Sequence, residues 1–198
     1  MPGRPGGRLG HCAALVVAVG LGLALAGCGG GSGGSASSGA SDSSALSLGQ
    51  TAVVRHTQIT GEAAAPTTTL AITALAVRKG TQEELAKAGF QLDASAKSTT
   101  PYYVDVRYAN KGTESIGRDL SVGLENANGD LITSTTIISV GSAPFAKCPA
   151  VSAGQLAPGA SYTGCSLFLV PAGSAPAKVS FLPNDPGKET DFVYWNVG

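Results

Sequence analysis

The segment at residues 102–109 restricts the possible fold more than any other part of the sequence. Successive side chains of a strand point to opposite faces, so alternate residues share a face. One face would carry a largely apolar set, Tyr102, Val104, Val106 and Tyr108. The opposite face would carry Tyr103, Asp105, Arg107 and Ala109. This alternation predicts a strand with one face in a core and the other at least partly in water.

Short apolar runs separated by turn residues continue from residue 50 to the end of the chain, a pattern typical of an antiparallel sandwich. Further strands are predicted at residues 51–56, 69–77, 120–125, 131–140, 161–170, 178–182 and 191–197. Asn128-Gly129 predicts a two-residue hairpin turn in which both positions have positive φ. Thr81 and Glu84 form a capping-box pattern for one short helix that ends near Gly89.

Neither a long amphipathic helix nor an alternation of strands with helices occurs in this pattern, which disfavours the α/β folds. The sequence therefore predicts an all-β domain at residues 50–198. We expect an immunoglobulin-like antiparallel β-sandwich of about seven or eight strands with one short helix.

The chain before this domain has a different character. Residues 1–10 contain Arg4 and Arg8 and no acid, and residues 12–26 are almost wholly apolar. This order of a basic and an apolar region is typical of a secretory signal peptide. The apolar run is shorter than the ~20 residues of a membrane-spanning helix. A spanning helix and an ordinary secretory cleavage site remain the alternatives.

Leu25-Ala26-Gly27-Cys28 directly follows the apolar region and resembles the lipobox of bacterial lipoproteins. In that family the cysteine thiol receives a diacylglyceryl group, and a peptidase cleaves just before it. The resemblance implies a signal peptide at residues 1–27, lipidation at Cys28 and the lipid bilayer as a partner. It places the protein on the outer face of the cytoplasmic membrane, facing the cell wall. Residues 28–49 are rich in Gly and Ser and are expected to form a disordered, flexible tether.

The chain has four cysteines. Cys12 lies in the predicted leader and Cys28 is assigned to lipid, so Cys148 and Cys165 remain for the domain. An exported protein meets an oxidising environment, and we therefore expect these two to form a disulfide. A redox pair or a pair of metal ligands is the alternative, although no Cys-x-x-Cys motif is present.

The charge pattern excludes one class of function. The chain that begins at Cys28 has 11 basic and 13 acidic residues, a net charge of −2. No cluster of Lys or Arg is present in it, so nucleic-acid binding is not expected.

No catalytic, cofactor-binding or metal site is predicted. His56 is the only histidine after the leader, it lies in no recognised catalytic motif, and we expect it on the surface of a strand. Asp119 and Glu125 are interpreted as solvated charges. A calcium site formed by Asp185, Glu189 and Asp191 is a weaker alternative, because the alternating spacing of oxygen ligands is missing. Tyr103 and Trp195 are expected to pack in the core rather than to line a carbohydrate or peptide patch.

Residues 50–198 also resemble a group of actinobacterial envelope lipoproteins whose immunoglobulin-like domain has no assigned function. The motifs that carry the resemblance are Lys79-Gly80, the capped helix, Thr100-Pro101-Tyr102-Tyr103-Val104, Asn110, Gly112, Asn128-Gly129-Asp130, Phe145-Ala146-Lys147-Cys148, Leu156-Ala157-Pro158-Gly159 and Gly164-Cys165. The resemblance implies a secreted antiparallel sandwich with a Cys148–Cys165 bridge. It implies no catalytic residues.

We therefore expect a non-enzymatic binding or adaptor module of the cell envelope, with a protein, a peptide or a cell-wall glycan as its ligand. A structural envelope protein without a specific ligand is the second hypothesis. A glycan hydrolase that uses carboxylates is the third, and it requires two carboxyl groups about 5–10 Å apart in a cleft.

Overall fold

The computed structural model of the chain describes residues 45–59, 66–135, 145–185 and 192–198. Eleven strands and two helices lie within these residues. The strands are β1 (Leu46–Ser47), β2 (Thr51–Thr57), β3 (Thr67–Lys79), β4 (Thr99–Asn110), β5 (Ile116–Gly117), β6 (Gly123–Asn126), β7 (Leu131–Ile132), β8 (Gln155–Leu156), β9 (Ser161–Pro171), β10 (Pro176–Phe181) and β11 (Val193–Asn196). The helices are α1 (Gln82–Lys87) and α2 (Ala94–Lys97).

Two main sheets form a β-sandwich, which confirms the predicted all-β fold. One sheet has the strand order β2-β3-β4-β9 and is antiparallel throughout. The other has the order β1-β11-β10-β6-β7, in which only β1 pairs in parallel with its neighbour β11. β5 and β8 form a small two-stranded sheet beside them.

The main core lies between these two sheets. The predicted core face of β4 does point into this core, because Val104, Val106 and Tyr108 are all at most 2% exposed and pack there. Strands of the opposing sheet contribute Leu124 and Trp195, both fully buried. Trp195 donates a hydrogen bond from its indole Nε1 to the carbonyl of Gln50 at 2.9 Å. The expectation that Trp195 belongs to the core is confirmed.

A second core covers the outer face of the four-stranded sheet, where the sequence predicted partial contact with water. Tyr103 is only 1% exposed there and packs with Leu85 of α1, Phe145, Cys148 and Leu167. α1 and the segment at residues 145–148 lie over Tyr103 and exclude water from it. Further along this face Asp105 is half-buried and Arg107 is exposed, so the outer face of β4 is partly in water, as predicted.

Gly80 permits this packing. A Cβ atom at this position would lie 2.5 Å from Cε2 of Tyr103 and 2.7 Å from its hydroxyl oxygen. Any larger side chain would displace the ring from the outer core.

The disulfide and four charged side chains connect the covering segments to the sheet. Cys148 and Cys165 form the predicted disulfide, and their Cα atoms lie 5.2 Å apart. The Arg78 guanidinium donates to Asp105 at 2.7 Å and to the carbonyl oxygen of Lys147 at 2.8 Å. The Lys147 ammonium in turn pairs with Glu84 of α1.

The predicted capping box is confirmed at α1. Thr81 Oγ1 accepts a hydrogen bond from the Glu84 amide at 3.2 Å, and Glu84 Oε2 accepts one from the Thr81 amide at 3.3 Å. Gly89 follows the helix with a φ of 84°. The sequence did not predict α2, whose N-cap is Asp93, because four residues are too few to show a helical period.

Two predicted strands differ from the structure in their bounds. β6 begins at Gly123, so residues 120–122 of the predicted strand are not part of the observed one. β7 ends at Ile132, and the chain then crosses to the other sheet, where the Thr135 amide donates to the carbonyl of Leu167 at 2.7 Å. Residues 136–140 and Asp191 lie outside the described residues.

The turn between β6 and β7 is not the predicted two-residue turn. Gly129 has a positive φ of 85°, whereas Asn128 does not. The Asn126 side chain closes a longer loop, because its Oδ1 accepts from the amides of Asn128 and Asp130. The hydrogen bonds of the Asn126 side chain thus stabilise a turn that does not need a positive φ at Asn128.

Residues 46–48 belong to the folded domain, although the sequence assigned them to the tether. Leu46 and Ser47 pair with Trp195 and Asn196 of β11, and Leu46 and Leu48 pack against the main core.

Removal of the disulfide is expected to destabilise the domain. The double variant C148A/C165A should lose about 3 kcal/mol of unfolding free energy, because the closed loop no longer restricts the unfolded chain. Urea denaturation of the wild type and of the variant, each with and without reductant, measures this loss. Reductant should lower the stability of the wild type alone. Mass spectrometry that finds both thiols free in the exported protein would contradict the bridge.

Candidate functional site

A pocket of about 260 Å³ opens where the ends of β2 and β10 approach the chain that leads from β5 to β6. Residues from these three segments line it: His56, Gln58, Ile59, Asp119, Leu120, Ser121, Phe181, Leu182 and Asn184. It is therefore formed by both sheets of the sandwich.

His56 lies in the wall of this pocket and is only 5% exposed. The prediction of a surface position is wrong, because the chain that follows β10 passes over the ring. His56 Nδ1 lies 2.7 Å from the carbonyl oxygen of Pro183, and the ring lies 5.7 Å from that of Phe181. A carbonyl oxygen only accepts hydrogen bonds, so Nδ1 must carry the proton. In the neutral ring, Nε2 is then a hydrogen-bond acceptor.

Burial lowers the pKa of His56 below its usual value. The hydrogen bond to Pro183 and the charge of Asp119 act in the opposite direction, but burial has the larger effect. The imidazole is consequently neutral at pH 7, in the form protonated at Nδ1.

Gln58 and Asp119 form a fixed polar pair beside the histidine. Gln58 Oε1 accepts a hydrogen bond from the Gly117 amide at 2.6 Å, and Gln58 Nε2 donates to Asp119 Oδ1 at 2.6 Å. Because Oε1 faces a donor and Nε2 faces an acceptor, the orientation of the Gln58 amide is determined. A Cβ at Gly117 would overlap both Gln58 Nε2 and Asp119 Oδ1, so a larger residue here would displace this pair.

The third wall depends on an unusual backbone conformation. Asn184 has a φ of 49°, a left-handed conformation that asparagine tolerates better than most residues. Its carbonyl oxygen accepts a hydrogen bond from the Thr57 amide at 3.0 Å, which joins this segment to the end of β2. Ile59 and Leu182, which are 78% and 37% exposed, add apolar surface to the same pocket.

The sequence-predicted site residues do not meet in this pocket. Cys28 lies outside the described residues. Cys148 and Cys165 belong to the outer core instead. Of the calcium alternative, Asp185 lies 3.6 Å from the Arg55 guanidinium, while Glu189 and Asp191 are outside the described residues.

Within the part of the chain that the structure describes, no group of three or more His, Cys, Asp or Glu residues is arranged to hold a metal ion. In the same residues, no helix has the length and apolar character needed to cross a membrane. Asp119 is the one carboxylate among the described residues that line the pocket.

The comparisons with known proteins identify no family. No family model and no curated protein matches the chain. It is similar to the solved structure of the yjhA protein from Bacillus subtilis, with a TM-score of 0.46 and 14% sequence identity over 77% of this chain and 99% of that one. It is also similar to MPT63, a secreted protein from Mycobacterium tuberculosis, with a TM-score of 0.48 and 15% identity over 76% of this chain and 94% of that one.

The state of His56 can be tested directly. In a form comprising residues 29–198, His56 is the only histidine, so nuclear magnetic resonance detects a single titrating imidazole. We expect its pKa to lie below the usual 6.5 and the neutral form to carry its proton on Nδ1.

The lowered pKa of His56 predicts how the stability of the domain depends on pH. Because the pKa is lower in the folded protein, the unfolded chain binds the proton first as the pH falls. The contribution of His56 to stability should be complete above about pH 6.5 and should decrease as the pH falls towards the folded-state pKa. A pKa at or above 6.5, or a proton on Nε2, would contradict the burial and the contact with Pro183.

Proposed function

We propose that this protein is an extracytoplasmic lipoprotein whose sandwich domain binds a ligand, without catalysing a reaction, through the pocket at His56. The observation that carries the proposal is a pre-organised group of polar side chains in a concave site with an apolar border. Gln58 is fixed by two hydrogen bonds and His56 by one, so ordering them on binding costs little conformational entropy. Such a site is typical of ligand recognition.

The lining residues favour binding over hydrolysis. Glycoside hydrolysis normally requires two carboxyl groups, and among the described residues that line the pocket only Asp119 carries one. Nucleophilic catalysis by a serine usually needs a base that hydrogen-bonds the hydroxyl. In the described part of the chain His56 forms its hydrogen bond with Pro183, and none joins it to Ser121.

Lipidation at Cys28 would place this pocket close to the membrane surface. The lipobox-like sequence that ends at Cys28 supports the anchor, and the Gly- and Ser-rich residues after it support a tether. A flexible chain of about twenty such residues has a root-mean-square span of roughly 25 Å. The domain would search for ligands in the space between the outer face of the cytoplasmic membrane and the cell wall.

The anchor is tested by changing the proposed lipidated residue. The variant C28A should move from the membrane fraction to the soluble or secreted fraction, because it has no thiol to acylate. The variant C12A, which changes the other early cysteine, should remain on the membrane. Fractionation with detection of the attached acyl chains measures both. If C28A stays on the membrane, the anchor is placed wrongly.

The pocket is tested by photocrosslinking in cells. A photoreactive amino acid at the exposed Ser121 should capture a discrete envelope component, whereas the same group at the exposed Lys97 of α2 should not. Adding D119N to the Ser121 protein should reduce the capture. Identical products from both positions, or products that D119N leaves unchanged, would argue against a binding site here.

A further inference from the structure

We propose that the pocket at His56 recognises one unit of an uncharged glycan through its hydroxyl groups. The inference rests on the proposed binding function and adds the chemical class of the ligand. It follows from the acceptors that His56 and Asp119 both contribute to the lining, together with the apolar surface of Ile59 and Leu182.

The size of the pocket limits what it can enclose. Its volume of about 260 Å³ is smaller than the ~300–1,000 Å³ of pockets that enclose drug-sized ligands. It has room for a single ring-sized group, and the rest of a larger ligand would extend into solvent.

The hydrogen-bonding groups of the pocket select a ligand that donates. His56 Nδ1–H is used by Pro183, so the ring offers the Nε2 lone pair. Asp119 Oδ1 accepts from Gln58, and its second carboxylate oxygen also only accepts. A ligand with adjacent hydroxyl groups supplies donors to both and retains its own acceptor capacity for Ser121 or Asn184.

The charge of the pocket disfavours anions. Asp119 is exposed, and no Lys or Arg occurs among the described residues that line the site. A carboxylate or phosphate on the ligand would face a like charge, with no compensating cation among these described lining residues, and such contacts are used to exclude wrong partners.

Amines are also donors, but this site favours them less. A single exposed carboxylate attracts a cation only weakly, because water screens the pair. Ile59 and Leu182 offer apolar surface that does not help to desolvate an ammonium group. A sugar ring uses both the acceptors and the apolar surface of the pocket. The hydroxyl groups at its edge can donate to the acceptors, and its C–H groups can pack against Ile59 and Leu182.

The proposal is tested with the acylated protein purified from membranes in detergent and applied to an array of neutral oligosaccharides, acidic oligosaccharides and polyamines. We expect binding to a subset of the neutral glycans and not to the acidic glycans or polyamines. D119N should weaken that binding about tenfold or more, because a hydrogen bond to a charged acceptor is lost. E83Q is the matched control, since Glu83 lies in α1 and not in the pocket, and it should bind as the wild type does.

Other results would overturn the proposal. These are preferential binding of acidic glycans or polyamines, no binding of any neutral glycan, or equal binding by D119N and the wild type. Urea midpoints of the two variants show whether a loss reflects unfolding, and a Ser121→Ala variant then supplies a second change in the pocket. If the Ser121 crosslinker captures a component but no neutral glycan binds, the ligand class is wrong and the binding function stands. If both experiments fail, both proposals fail.

Discussion

The presence of buried side chains on both faces of β4 is the constraint on which the rest of the structure depends. Val104 and Val106 face the opposing sheet, and Tyr103 faces the outer core beneath α1. A central strand with buried side chains on both faces needs a cover on each side. The second sheet provides one cover, and α1 with the disulfide-linked segment at residues 145–148 provides the other. Arg78 and Asp105 fit within this arrangement because they pair with each other at the border of the outer core.

The sequence predicted those parts of the fold whose determinants are close together in the chain. The alternation in β4 and the capping box at Thr81 and Glu84 each depend on neighbouring residues, and both are confirmed. The disulfide was predicted by counting the cysteines that remain for the domain, and not from a pattern of neighbouring residues. The early end of β7 at Ile132 had no such signal, because the crossing to Leu167 depends on a strand distant in sequence.

The candidate site could not be predicted in the same way. Gln58 and Asp119 are 61 positions apart, and Pro183 is 127 positions from His56, so no motif connects them. One signal was nevertheless present. Ala52, Val54 and His56 share a face of β2 by alternation, and the two apolar members indicate that this face is directed inwards. Read in that way, β2 places its histidine at the edge of the core rather than on the surface.

The last residues of β2 and the residue that follows it, Gln58, connect the structure and the site. His56 and Thr57 hold the segment at Pro183 and Asn184, and Gln58 holds the segment at Gly117 and Asp119. These contacts join the two sheets and also set the geometry of the pocket. A change at Gln58 would therefore alter fold and site together, because the amide bonds two segments at once. Asp119 is different, since its carboxylate is exposed and has an oxygen not engaged by Gln58. For this reason a change at Asp119 tests the proposed ligand recognition with less effect on the fold than a change at Gln58.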